Sequence, residues 1–152
     1  MLIRIVAVLA VFAYPAVFSP AVAEEAKISV AVNHSGEDTV GQKLAFALRE
    51  TIRSSSGYQL ISGPKATYRI SLVTLDPESS PSAAGRWTVA AVTFTMKNTN
   101  PFNDLKPQTW YAIYLTTLVV TAGSRSVDEQ AKSLLAALES QIEAYRSDLR
   151  QK

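Results

Sequence analysis

Cysteine is absent from this chain. That absence excludes disulfides, thiol nucleophiles, thiolate metal sites and attachment of a lipid through sulfur. Histidine is nearly absent: His34 stands alone among 152 residues, so a zinc site lacks its usual ligand set. No run of alternating acids has calcium-loop spacing, and Ser62-Gly63-Pro64-Lys65 lacks the spacing of a phosphate loop. No cofactor or metal is therefore expected. The excess of positive over negative charge is small as well. The formal net charge is +2, of which Arg4 supplies one, far from the concentrated basic face of a nucleic-acid binder.

What the chain does have is an amino-terminal address. Arg4 gives a positive start, residues 5–18 an apolar run, and Ala21-Val22-Ala23 a small-residue cleavage pattern. The expectation is a cleaved signal peptide over 1–23 and a mature protein from Glu24, periplasmic or secreted. The alternative, an uncleaved anchor, needs about 20 consecutive apolar residues, and Tyr14, Pro15 and Pro20 interrupt the run. Without cysteine, an amino-terminal lipid anchor is excluded.

Residues 24–152 are expected to form a single domain, long enough to close a core without staples. Residues 27–32 are rich in β-branched residues and suit a strand, broken by Asn33-His34-Ser35-Gly36. A helix is predicted over 39–54, with Val40, Leu44, Leu48 and Ile52 as a buried stripe and Thr39 and Gln42 at capping-box spacing. Strands follow at 58–62 and 67–75, the latter alternating with Tyr68, Ile70 and Leu72 on one face. A polar loop over 76–85 leads to two long strands, 86–97 and 109–122, read as an antiparallel hairpin. Ser126 and Glu129 form a second capping-box pair before a closing helix whose stripe runs from Val127 to Leu149. The order β-α-β-β-β-β-α predicts an α+β two-layer sandwich: a mainly antiparallel five-stranded sheet with both helices on one face.

This order resembles the amino-terminal domain of TolB. The resemblance rests on the helix around residues 42–52, the strand Tyr58-Gln59-Leu60-Ile61, the strand opening Ala66-Thr67-Tyr68-Arg69-Ile70, and the closing helix. The curli secretion channel CsgG and the penicillin-binding-protein activators share the arrangement. This chain lacks the β-propeller of TolB and the lipid-bearing cysteine of the lipoprotein relatives, so no functional residue carries over. The resemblance implies a non-catalytic envelope module that works by contact with another protein.

Two local features bear on chemistry. His34 lies close in sequence to Ser35, Glu37 and Asp38, but helix capping and dipole effects account for the last three without catalysis. A small hydrolase using His34 would need a second polar group delivered from a distant strand into a cleft. The aromatic residues form the better lead. On the fourth strand Thr88, Ala90, Val92, Phe94 and Met96 are predicted to face the core, leaving Trp87, Val89, Ala91 and Thr93 outside. On the fifth, Tyr111, Ile113, Leu115, Thr117 and Val119 are predicted inward, with Trp110, Ala112, Tyr114, Thr116 and Leu118 outward. The predicted interaction surface is thus Trp87, Val89, Trp110 and Tyr114. Such residues either cover the strands by cross-strand pairing or form an interface. The partner would be another envelope protein or a second copy in a homodimer, with a glycan as the alternative ligand and neither nucleic acid nor a membrane anchor involved.

Overall fold

The computed structural model describes residues 26–78, 84–97 and 112–151. The predicted signal segment, Trp110 and Tyr111 lie outside them. The elements are β1 (Ile28–Ser35), α1 (Thr39–Ser54), β2 (Tyr58–Leu60), a single 3-10 turn (Gly63–Lys65), β3 (Tyr68–Leu75), β4 (Trp87–Lys97), β5 (Ala112–Gly123) and α2 (Val127–Arg150). The predicted α+β sandwich, with five strands and two helices, is what forms among the described residues.

The sheet order is β2-β1-β3-β4-β5. It is mixed rather than mainly antiparallel: β1 runs parallel to both β2 and β3, while β3–β4 and β4–β5 are antiparallel. α1 returns the chain so that β2 can start beside the start of β1, the usual consequence of a helical crossover. The next connection, residues 61–67, is short enough for a hairpin but instead steps across β1. Ile61 N donates to Val30 O at 2.9 Å and Thr67 N to Ser29 O at 3.1 Å, so the step is held by β1's own backbone, and β3 leaves parallel to it.

α1 buries the predicted stripe completely: Val40, Leu44, Leu48 and Ile52 are without solvent exposure. α2 contributes Leu134, Leu138 and Ile142, and the two helices meet Val30, Ile70, Leu72, Val92 and Phe94 of the sheet in one core. Tyr58 and Tyr68 close the core beside α2, where burial, with Glu139 adding to it, pushes the Tyr58 phenol up to about 12. No helix among the described residues is long and apolar enough to cross a membrane.

Neither predicted capping box forms. Asp38 caps α1, its carboxylate accepting from Gly41 N at 2.5 Å, while Gln42 turns to Glu37 O. At α2, Ser126 Oγ makes no cap bond and instead accepts from Gly123 N at 3.1 Å. In both cases the side chain takes a different local partner from the one the spacing pattern assigns.

β5 departs from its predicted faces for a clear reason. Phe94 pairs with Thr116 but Thr95 pairs with Tyr114, so Leu115 is an extra residue, a β-bulge. Ahead of the bulge the prediction holds, with Tyr114 outward and Ile113 packed on the core. Beyond it the alternation flips. Leu118 and Val120 pack on the core, and Val119 stands outside at 73% exposure.

Candidate functional site

Both helices pack on one face of the sheet, so the other face has no second layer among the described residues. The strand registers order that open face into rows. Val73, Ala91 and Val119 stand side by side on β3, β4 and β5, and Leu75, Val89 and Thr121 form the next row. Adjacent strands lie about 4.8 Å apart and alternate residues about 7 Å along a strand, so the two rows make one contiguous apolar strip. Val73 is 58% and Leu75 56% exposed. Trp87 borders the strip, half-buried, with its indole N–H donating to Glu78 Oε1 at 3.2 Å.

The rest of the face changes character row by row. Ser71, Thr93 and Thr117 form a hydroxyl row, in which Thr93 Oγ1 and Thr117 Oγ1 lie 3.0 Å apart. Beyond them stand Arg69, Thr95 and Tyr114, the last 62% exposed. No titratable side chain sits within the two apolar rows. Such a surface can desolvate against another apolar surface.

Of the predicted interaction residues, Trp87, Val89 and Tyr114 share this open face, and Trp110 lies outside the described residues. Sequence reasoning missed Val73, Leu75 and Val119. The first two were within reach, because continuing the alternation of Tyr68, Ile70 and Leu72 puts Val73 and Leu75 outward. Val119 was not, since its orientation depends on the bulge.

His34 lies on β1, which runs through to Ser35 rather than breaking at Asn33. Its Nε2 is 2.8 Å from Thr74 Oγ1 of β3, so a polar group from a distant strand does reach it. The surroundings of that hydroxyl decide what the pair can do. Thr74 is only 5% exposed, and its Oγ1 is walled by the backbones of Gly36 and Gly41. Gly36 has φ +144°, a region L side chains rarely adopt, and a Cβ on either glycine would collide with Thr74. A nucleophile needs space for a reacting carbon at about 3 Å, and here that space is filled by main chain.

The electrostatics of the cluster fit a packing role. Burial, with the Arg49 charge adding to it, lowers the His34 pKa against the opposing pull of Asp38. Burial raises that of Asp38, but the Thr74 hydroxyl, the Gly41 amide and the Thr88 hydroxyl outweigh it and leave the carboxyl below its ordinary value. Asp38 Oδ2 faces these hydroxyls without a regular hydrogen bond of its own. Among the described residues, no group of His, Asp and Glu is arranged to hold a metal ion.

No protein-family model and no curated protein sequence matches the chain. Solved structures do. A hypothetical protein from Chlamydia trachomatis superposes with a TM-score of 0.50 at 10% identity, covering 78% of this chain and 99% of its own. The rare lipoprotein B of Shewanella oneidensis gives 0.35 at 10% identity over 76% and 98% of the two chains. An uncharacterized lipoprotein B of Nitrosomonas europaea gives 0.24 at 14% identity over 83% and 82%. The first shows that the same fold is built from a very different sequence, and the two looser superpositions add nothing to it. None of the three is a TolB domain by name, so that likeness stays one of element order.

Proposed function

We propose that this chain is an exported, soluble, non-catalytic protein of the cell envelope that works as a protein-interaction module through the open face of its sheet. The observation that carries this reading is the apolar strip on that face, where Val73, Leu75 and Val119 are each more than half exposed. Large exposed apolar patches on soluble domains are unusual and mark contact surfaces. The strip also offers nothing that would favour a sugar over a protein: the Trp87 N–H is engaged by Glu78, and no row of acids and amides stands ready for hydroxyls. Export rests on the leader read from the sequence, and the absence of cysteine makes this surface the means of any attachment to the envelope.

Photo-crosslinking side chains placed singly at Val73, Val89 and, as a control on the helical layer, Lys132 test the reading in cells of the native host. Adducts to an envelope protein are expected from Val73 and Val89 and not from Lys132. Adducts from Lys132 alone would overturn it. Amino-terminal sequencing of the exported protein checks the address separately, with Glu24 expected as the first residue.

A further inference from the structure

We infer that two copies of this chain pair antiparallel along the free edge of β5, centred on Val119, to form one continuous ten-stranded sheet. β5 is paired on one side only, so half of its backbone N–H and C=O groups face no strand among the described residues. Soluble proteins guard such an edge with charge, proline, shortness or a bulge. The 12 residues of β5 contain neither a charged residue nor a proline. Its one bulge, at Leu115, leaves residues 116–123 in regular register with β4. The opposite edge of the sheet is guarded in the ordinary way, since β2 has three residues and lies between Gly57 and the Gly63-Pro64 turn.

The occupant is a second copy because β5 is compatible with itself. A neutral strand meets no like charge when reversed onto its copy, and β2 is too short to accept β5 head to tail, so the contact closes as a dimer. Antiparallel pairing of a strand with its own copy requires a two-fold axis perpendicular to the sheet. With Val119 on that axis, Thr117 of one copy lies opposite Thr121 of the other, and Leu118 opposite Val120. All are pairings that suit a pleated surface. The same axis keeps both helical layers on one side and sets the two open faces edge to edge. This goes beyond the face-contact reading and does not depend on it, because it uses the strand's edge and not its outward side chains.

The full chain, expressed with its leader and recovered from the exported fraction, provides the material. An interface of this length is small, below about 1,200 Å² in total, so light scattering should show a dimer that dissociates in the micromolar range. The absence of native cysteine allows a register test. Opposed Cα atoms lie about 4.5–5.5 Å apart, within disulfide reach, so Val119→Cys should oxidise to a covalent dimer. Thr121→Cys, whose copies stand about 13 Å apart along the strand, should not. Val119→Lys places like charges on the axis and should weaken dimerisation by about tenfold or more, with an unchanged circular dichroism spectrum. Val73→Ser should leave the dimer intact even where it abolishes partner adducts, which separates this inference from the proposed function. A monomer at all concentrations, crosslinking of Thr121→Cys as readily as Val119→Cys, or an unaffected mass for Val119→Lys would each overturn it.

Discussion

The two faces of the sheet are built from the same strands at alternating positions, yet they sit in different surroundings. On β4, Val92 and Phe94 point into the helical layer and are fully buried, while Ala91 and Thr93, which flank Val92, point away from it. On β3 the contrast is sharper. Ile70 and Leu72 have almost no exposure, whereas Val73 and Leu75, equally apolar, stand more than half in solvent. Hydrophobic side chains on the first face stabilise the fold by leaving water, and those on the second leave water only when something else arrives. Residue type on a strand states what a position can bury against, and the layer above it states whether it does.

The largest effect should come from emptying the buried face. Phe94→Ala leaves a cavity under both helices and is expected to cost about 3–5 kcal/mol in chemical denaturation. Its counterpart, Val73→Thr on the open face, should change stability by no more than about 0.5 kcal/mol. A cost for Val73→Thr comparable to that of Phe94→Ala would break the distinction between the faces, because the strip would then be covered within the isolated protein.

Smaller effects sharpen the boundary between the layers, where α1 docks on Thr74. Gly41→Ala drives a methyl group into the Thr74 side chain and the Asp38 carboxylate, and overpacking of this kind costs about 1–3 kcal/mol. The helix preference for alanine offsets only part of that. Asp38→Ala removes the cap on Gly41 N and is expected to cost about 1 kcal/mol in thermal or chemical unfolding.

The smallest effect is a pH dependence at the same junction. His34 titrates below its ordinary value of 6.5 because burial disfavours the imidazolium. The unfolded chain therefore binds the proton more tightly, and the stability due to neutral His34 is present above pH 6.5 and lost as pH falls through the folded value. Asp38, also shifted down, acts in the same direction at lower pH, below its ordinary value of 3.8. Denaturation midpoints should fall on acidification from pH 7 to pH 5, and His34→Gln should flatten that slope. An unchanged slope in the variant would place the sensitivity elsewhere.

Much of the fold was legible because it is written locally. The stripe Val40, Leu44, Leu48, Ile52 and the stripe along α2 have helical spacing, and both helices formed within a residue of their expected limits. The inward side of β4 followed from strict alternation, and with it the outward placement of Trp87 and Val89. The candidate surface was half legible. Tyr114 was correctly placed, Val73 and Leu75 lay on an alternation not followed to its end, and Val119 was assigned to the wrong face. His34 illustrates the other limit. Its neighbours in sequence suggested a cluster with Ser35 and Glu37, but its hydrogen-bond partner is Thr74, brought over by the pairing of β1 with β3.

Composition and periodicity alone determined the class of this protein: without disulfides, and with two amphipathic helices between runs of alternating strand residues, it forms an α+β layer structure. Those properties depend on residue type and near neighbours, which the chain fixes before it folds. Tertiary structure alone decided that the strand after β2 would cross β1 and run parallel to it, and that a bulge at Leu115 would turn Val119 out and Leu118 in. Both depend on which strand becomes whose neighbour. Because side chains alternate with a period of two, a single extra residue in one pairing reverses every face that follows.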